Sequence, residues 1–325
     1  MILITGAAGF IGTNNILFLN NQGIDDLILV DNFSSEKKKN QLNLFKYKKA
    51  LNIEECEILL KSDNSLKINT IIHLGAITDT TCNDDDLLKK LNIDFSKQIW
   101  KFCSKNHVKL IYASSAATYG KGDRGFNDDE ATIKELKPLN KYGKSKNDFD
   151  LWALEQIESP ISWVGLKFFN VYGPYEDYKG NMASVVHWGL QKVYFEKKIK
   201  LFKSLNSKYK DGFQERDFIF VNDVIDIISF FMKKNITGIF NVGTAQPRTF
   251  IDLSKALFSS LNIPERIEYI DLPKKLENIY QYYTCANMEK LRNIGYKNEF
   301  TKLEDGVEIC KNHFLNNLED VAIKD

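Results

Sequence analysis

The chain opens Met1-Ile2-Leu3-Ile4-Thr5-Gly6-Ala7-Ala8-Gly9-Phe10-Ile11-Gly12, and this stretch decides the fold. An apolar run of strand type ends at Thr5, glycines follow at the spacing G-x-x-G-x-x-G, and a helical pattern begins directly after them. Glycines suit a strand-to-helix turn whose backbone must approach a pyrophosphate and then pack tightly, while the helix N-terminus offers free N–H groups to the anion. Asp31 closes the next apolar run at about the 20-residue distance expected of a carboxylate that contacts a ribose. Gly6, Gly9, Gly12 and Asp31 therefore predict a dinucleotide site.

A carboxylate hydrogen-bonds a ribose hydroxyl but repels a 2′-phosphate, so Asp31 by itself argues for NAD. The basic run Lys37-Lys38-Lys39 argues the other way, since one of its ammonium groups could neutralise that phosphate; a solvated basic loop accounts for the run equally well.

Outward from the first turn, short β-branched runs alternate with segments of helical period, the pattern of βαβ units and a parallel sheet. Strands are expected at Met1 to Thr5, Leu27 to Val30, Thr70 to Leu74, Leu110 to Ala113, Trp163 to Phe169 and Gly238 to Val242. Covering helices are expected at Ile11 to Asn20, Leu87 to Cys103 and Lys144 to Gln156. The fold class is α/β: a Rossmann-type doubly wound parallel sheet with a smaller mixed α/β substrate domain. Expected boundaries are 1–170 with 217–246 and 301–325 for the dinucleotide-binding domain, and 171–216 with 247–300 for the substrate domain. A polar insertion, Leu205 to Gly212, reads as a mobile surface loop. Trp100, Trp152, Phe230 and Phe231 fall at helical spacing and read as core, while Trp188 and Tyr194 stay unassigned.

Composition excludes several classes. At 325 residues, with 43% hydrophobic and 27% charged side chains, the chain can bury a sizeable core and lacks the signature of disorder. Its net charge of +1 provides no global field to gather nucleic acid or a membrane surface. Cys56, Cys82, Cys103, Cys285 and Cys310 are scattered, with no C-x-x-C pair, so reduced thiols and no metal site are expected. The N-terminus lacks a basic leader and no apolar stretch approaches the roughly 20 residues of a membrane helix, so a cytoplasmic protein is expected.

A second constellation carries the chemistry. Tyr142-Gly143-Lys144-Ser145-Lys146 is a Y-x-x-x-K at a helix start, preceded by the strand end Ala113-Ser114-Ser115. One helical turn puts Tyr142 and Lys146 on one face, where the ammonium is expected to lower the phenol pKa and to hold a nicotinamide ribose. Tyr142 would then take a proton from a substrate hydroxyl as hydride leaves for the nicotinamide, with Ser115 donating to the same oxygen.

These residues resemble the extended short-chain dehydrogenases and, among them, the ADP-L-glycero-D-manno-heptose 6-epimerases of lipopolysaccharide inner-core synthesis. The resemblance runs along the whole chain through Ala113-Ser-Ser-Ala-Ala-Thr-Tyr-Gly120, Phe169-Asn-Val-Tyr-Gly-Pro174, Lys179-Gly-Asn-Met-Ala-Ser-Val185, Arg216-Asp-Phe218 and Tyr280-Gln281. It implies NADP, with NAD as the alternative, held by Phe10, Ile11, Asp31, Asn32, Lys38, Leu74, Gly75, Ala76, Asn92, Lys146, Val171 and Lys179. It implies Tyr142 and Lys179 as acid/base groups and Asn170, Asn181, Phe202, Arg216 and Tyr280 around a nucleotide sugar, in a homo-oligomer, a pentamer by resemblance. A second acid/base group suits an inversion, because a keto intermediate must meet the hydride on its opposite face. On charge grounds Lys179 also reads as a diphosphate clamp.

The sugar 4,6-dehydratases of the same superfamily carry an Asp-Glu pair where this chain has Ala116 and Ala117, so elimination lacks a catalyst here. Ala7, Asn181, Lys144 and a longer loop before Arg216 depart from the family pattern, and His187 reads as a helix-packing residue. Another nucleotide-sugar epimerase or reductase on the same scaffold is the enzymatic alternative. A non-catalytic dinucleotide sensor is the other, and the presence of Tyr142, Lys146 and Ser115 weighs against it.

Overall fold

The computed structural model describes residues 1–277 and 279–322, without the side chains of Lys37, Asn181, Lys275 and residues 319–322. The chain divides into two compact units: Met1–Phe168 with Ile225–Asn241 and Glu289–Tyr296, and Phe169–Val224 with Val242–Met288 and Lys297–Asp325.

The first unit is built on a seven-stranded sheet. Its strands are β1 (Ile2–Thr5), β2 (Leu27–Val30), β3 (Lys49–Leu51), β4 (Thr70–His73), β5 (Lys109–Ser115), β6 (Trp163–Phe168) and the strand Gly238–Val242. From one edge the order is Gly238–Val242, β6, β5, β4, β1, β2, β3, and the pairs from β6 to β3 are parallel. The order reverses direction at β1, which places the glycine turn at the switch point where doubly wound sheets bind ligands. β1, β2, β4 and β6 are buried on both faces, as befits the strands of a parallel sheet covered by helices.

Helices α1 (Phe10–Asn21), α2 (Glu36–Gln41), α3 (Ile53–Lys61), α4 (Asp85–Leu88), α5 (Phe95–Lys105) and α6 (Lys141–Leu154) belong to this unit. The expected helix over Leu87 to Cys103 is α4 and α5 joined by a π turn at Lys89–Asp94, an insertion typical of functional sites. Trp100, 1% exposed, packs edge-on against Phe149 and Trp152 and 5.0 Å from Trp163. Burying a side chain of that size contributes roughly 1.5–3 kcal/mol or more. At one sheet edge, Asp128 and Glu130 accept the backbone N–H groups of Asn241 at 2.8 Å and Ile239 at 3.0 Å. Two carboxylates thus satisfy alternate donors that an exposed edge would offer to another chain.

The second unit uses short pairs: Asn170–Tyr172 parallel to Phe218–Phe220, Glu215–Arg216 antiparallel to Arg248–Thr249, and Ile199–Phe202 parallel to Ile267–Ile270. Helix Leu303–Ala322 packs on helices Val185–Glu196 and Phe250–Ser260. The contacts therefore group residues 297–322 with the second unit, whereas the sequence boundaries put 301–325 with the dinucleotide domain. Residues 289–296 shift the opposite way, because Lys290 bonds Glu130 at 2.7 Å and the Ile239 carbonyl at 2.8 Å.

Candidate active site

The glycine turn is shaped for close approach. Gly6 has φ of 67°, and a Cβ there would lie 2.7 Å from the Gly75 nitrogen. A Cβ on Gly12 would lie 2.1 Å from the Gly6 carbonyl oxygen. Ala7 lies outside the left-handed region, so its methyl group is accommodated without strain. Gly9 is the N-cap of α1 and no side chain caps that first turn, so the N–H groups beside Phe10 and Ile11 are presented to a ligand.

Asp31 closes this loop: its carboxylate accepts from the backbone of Ala8 at 2.9 Å and Asn32 at 2.7 Å, and from Lys38 Nζ at 2.6 Å. Of the three lysines, Lys38 meets Asp31 and Lys39 turns to Glu36 at 3.1 Å; the Lys37 side chain lies outside the described residues.

Behind Leu74, Gly75 and Ala76 runs a relay that the sequence analysis missed. The Gly75 N–H donates to Thr5 Oγ1 at 3.0 Å, and Thr5 lies 2.6 Å from His73 Nδ1. His73 Nε2 lies 2.8 Å from Ser96 Oγ, whose hydroxyl donates to the Asn92 carbonyl at 2.7 Å. Because the Ser96 proton is committed to Asn92, Ser96 accepts from His73 Nε2–H; with the ring neutral, Nδ1 is left to accept from the Thr5 hydroxyl. Burial, reinforced by the Lys146 ammonium, pulls His73 down to about 3. The Asn92 amide exchanges hydrogen bonds with the Ile77 backbone and donates to Ser145 Oγ at 2.9 Å, joining this loop to α6.

α6 begins with the Asn140 side chain accepting from the Gly143 N–H at 2.7 Å. Gly143 is required there, since a Cβ would lie 2.7 Å from the Ala117 carbonyl oxygen. This approach sets Tyr142 against Ser115, whose hydroxyl hydrogen-bonds the phenol. Lys146, 5% exposed, donates to the Ala113 carbonyl at 2.9 Å. The expected lowering of the phenol by Lys146 is corrected here: burial pushes Tyr142 up, the Ser115 hydrogen bond opposes it, and the Asp150 charge adds to the rise. Burial outweighs because the phenolate leaves water. Burial also pulls the Lys146 ammonium down to about 8, and Asp150 pushes it back. Lys144 is exposed and pairs with Asp148 at 2.6 Å.

In the second unit Arg216, 8% exposed, lies with its guanidinium 5.5 Å from the Phe250 ring centre and 5.4 Å from that of Tyr280. It donates to the Glu215 carbonyl at 2.9 Å and to the Gln281 carbonyl, and no carboxylate pairs with it among the described residues. Burial pulls its pKa down, so a bound anion would relieve a real cost. Phe202 meets Tyr280 edge-on at 6.1 Å, so Phe202, Arg216 and Tyr280 form one group. Asn170 is tied to it through the Asp217 carbonyl at 3.0 Å, and Val171 follows on the same strand. Asp217 accepts from Thr244, Ala245 and Ala286 and locks three segments around Arg216. Lys179 sits in a separate turn, 3.5 Å from Glu176, whose carboxylate also accepts from Ser184. The Asn181 side chain lies outside the described residues. His187 contacts Gln191 at 2.9 Å and the edge of Trp188.

The glycine cradle that a Cβ would fill, the uncapped helix start and Asp31 fit a nicotinamide dinucleotide. Residues 2–243 match the NAD dependent epimerase/dehydratase family, and the chain belongs to that family of enzymes. It is similar to the ADP-L-glycero-D-manno-heptose-6-epimerase of Fusobacterium nucleatum subsp. nucleatum, 42% identical over 97% of this chain and 98% of the relative. The protein of that name from Brachyspira hyodysenteriae is 38% identical over 95% and 96%. Among solved structures, the ADP-L-glycero-D-manno-heptose-6-epimerase of Helicobacter pylori superposes with a TM-score of 0.81 at 29% identity, covering 97% of this chain and 96% of that one.

Proposed function

We propose that the protein is an ADP-glycero-manno-heptose 6-epimerase that inverts C6 of ADP-D-glycero-D-manno-heptose through a transient 6-keto intermediate, for the heptose of the lipopolysaccharide inner core. The observation that carries the reaction class is the Ser115, Tyr142 and Lys146 arrangement at the end of β5 and the start of α6. Near-full-length likeness to relatives of that name supports the sugar.

Tyr142 takes the C6 hydroxyl proton as the general base, and Ser115 donates a hydrogen bond to the same oxygen. Lys146 supplies positive charge that favours the phenolate, the form of Tyr142 able to accept this proton. A bound nicotinamide supplies the hydride acceptor and donor. Lys179 acts as the second acid/base group once the intermediate presents its other face, and Arg216 holds the diphosphate. Ala116 and Ala117 leave elimination without an acid or base. Gly6, Gly9, Phe10, Ile11 and Gly12 would hold the cofactor pyrophosphate and Asp31 the ribose. We favour NADP, because Lys38 already offsets the Asp31 charge that would repel a 2′-phosphate. No described helix is long and apolar enough to cross a membrane. The reading assigns a cytoplasmic homo-oligomer acting on a soluble nucleotide sugar.

The test is to incubate the protein with ADP-D-glycero-D-manno-heptose and separate the C6 epimers while following nicotinamide absorbance. An inverted product with no net absorbance change is expected. Inversion at another carbon of another nucleotide sugar, or a net absorbance change, would overturn the assignment in favour of a different epimerase or a reductase.

A further inference from the structure

The insertion Leu205 to Gly212 is not explained by the chemistry above, and the structure ties it down. Asp211 accepts from the Ser204 N–H at 2.7 Å, and the Ser204 hydroxyl donates to the Asn206 carbonyl at 2.8 Å. The Leu205 N–H donates to the Tyr282 hydroxyl at 3.2 Å. The Tyr209 ring lies parallel to that of Tyr282, with centres 5.7 Å apart and planes 28° apart. Tyr282 meets Tyr280 edge-on at 5.2 Å, and Tyr280 flanks the Arg216 guanidinium. Rings therefore run without a break from the buried cation into the insertion, and Tyr209, Tyr280 and Tyr282 are each only half-buried.

Two chemistries sit side by side here. A desolvated guanidinium without a carboxylate partner among the described residues calls for an anion. Half-exposed tyrosine faces, rigid and with few rotors to freeze, suit a flat aromatic ligand. A nucleoside diphosphate has both parts joined. We propose that Tyr209, with Tyr282 behind it, is a stacking platform for the base of the nucleotide sugar, so that the insertion is a base-recognition element. This rests on the nucleotide-sugar reading and adds to it the residue that reads the ring. The Tyr209 hydroxyl is within electrostatic reach of Arg216, which keeps the platform close to where the phosphates would lie.

The experiment is calorimetric titration of NADP-saturated protein, whose dinucleotide site is closed to the probes, with ADP and separately with inorganic pyrophosphate. For Tyr209→Ala, ADP affinity is expected to fall roughly 5- to 100-fold, the range for losing one base-to-ring stack, with pyrophosphate affinity unchanged. Tyr209→Phe, which keeps the ring, should bind ADP like the parent. Unchanged ADP affinity in Tyr209→Ala overturns the platform. Equal losses for both probes overturn it too, since the tyrosine would then only brace Arg216. A parent that binds pyrophosphate but no ADP, or neither, removes the nucleotide-sugar reading itself.

Discussion

Lys38 Nζ lies 2.6 Å from the Asp31 carboxylate, which at the same time accepts the Ala8 N–H of the glycine turn. The residue that would bind the ribose is therefore already compensated by a cation seven positions away. Lys38→Ala should leave a bare carboxylate and move preference toward NAD, changing the ratio of NADP to NAD dissociation constants by about tenfold. Fluorescence titration with both cofactors measures it, and an unchanged ratio would remove Lys38 from cofactor choice.

Asp150 and Lys167 form an ion pair at 2.7 Å, with both side chains 0% exposed. Asp150 also accepts from the hydroxyls of Tyr112 and Ser114, and Lys167 donates to Thr118 Oγ1. Removing one charge strands the other in the core, so Asp150→Asn and Lys167→Met should each lose about 3–5 kcal/mol in urea unfolding. The double variant Asp150→Leu with Lys167→Met should lose clearly less than the sum. Additive losses would show that the two charges do not depend on each other.

His73 gives a pH dependence with a definite sign. Its folded-state pKa is lowered from 6.5 to about 3, so between those values the unfolded chain binds a proton that the folded chain refuses. Its contribution is complete above about pH 6.5 and is lost as pH falls toward 3, by roughly 4–5 kcal/mol at the bottom of the range. Denaturation midpoints from pH 8 to 4 should decline in the parent and decline less steeply in His73→Gln. Equal slopes would contradict the buried neutral imidazole.

Gly143 tests the packing that sets the catalytic tyrosine. The Cβ of Gly143→Ala would press on the Ala117 carbonyl at 2.7 Å, displacing the start of α6. A displacement of about 1 Å at a reacting group costs on the order of a hundredfold in turnover. Steady-state rates near those of the parent would mean that the approach is looser than the geometry indicates.

What the sequence made legible follows from locality. The glycine turn, Asp31 and the Tyr142 to Lys146 helix face are short-range patterns, and most strands of the central sheet carry a short, largely apolar stretch. β3 escaped because Lys49-Ala50-Leu51 is three residues long and carries no period. The Asp150–Lys167 pair and the Thr5–His73–Ser96 relay join positions far apart in the chain, which no spacing rule reaches. The second unit was least legible, since strands of two residues such as Glu215–Arg216 exist only through their partners. The 205–212 insertion read as a loose loop because its anchor, Tyr282, lies about 70 residues further on.

The central claim is that the Tyr142 phenol moves the proton. Tyr142→Phe removes one oxygen from a site whose helix and cofactor cradle stay in place, and conversion of ADP-D-glycero-D-manno-heptose to its C6 epimer should fall by about 10²- to 10⁴-fold with bound cofactor and melting temperature unchanged. Turnover within a few-fold of the parent, at equal cofactor content, would contradict the account.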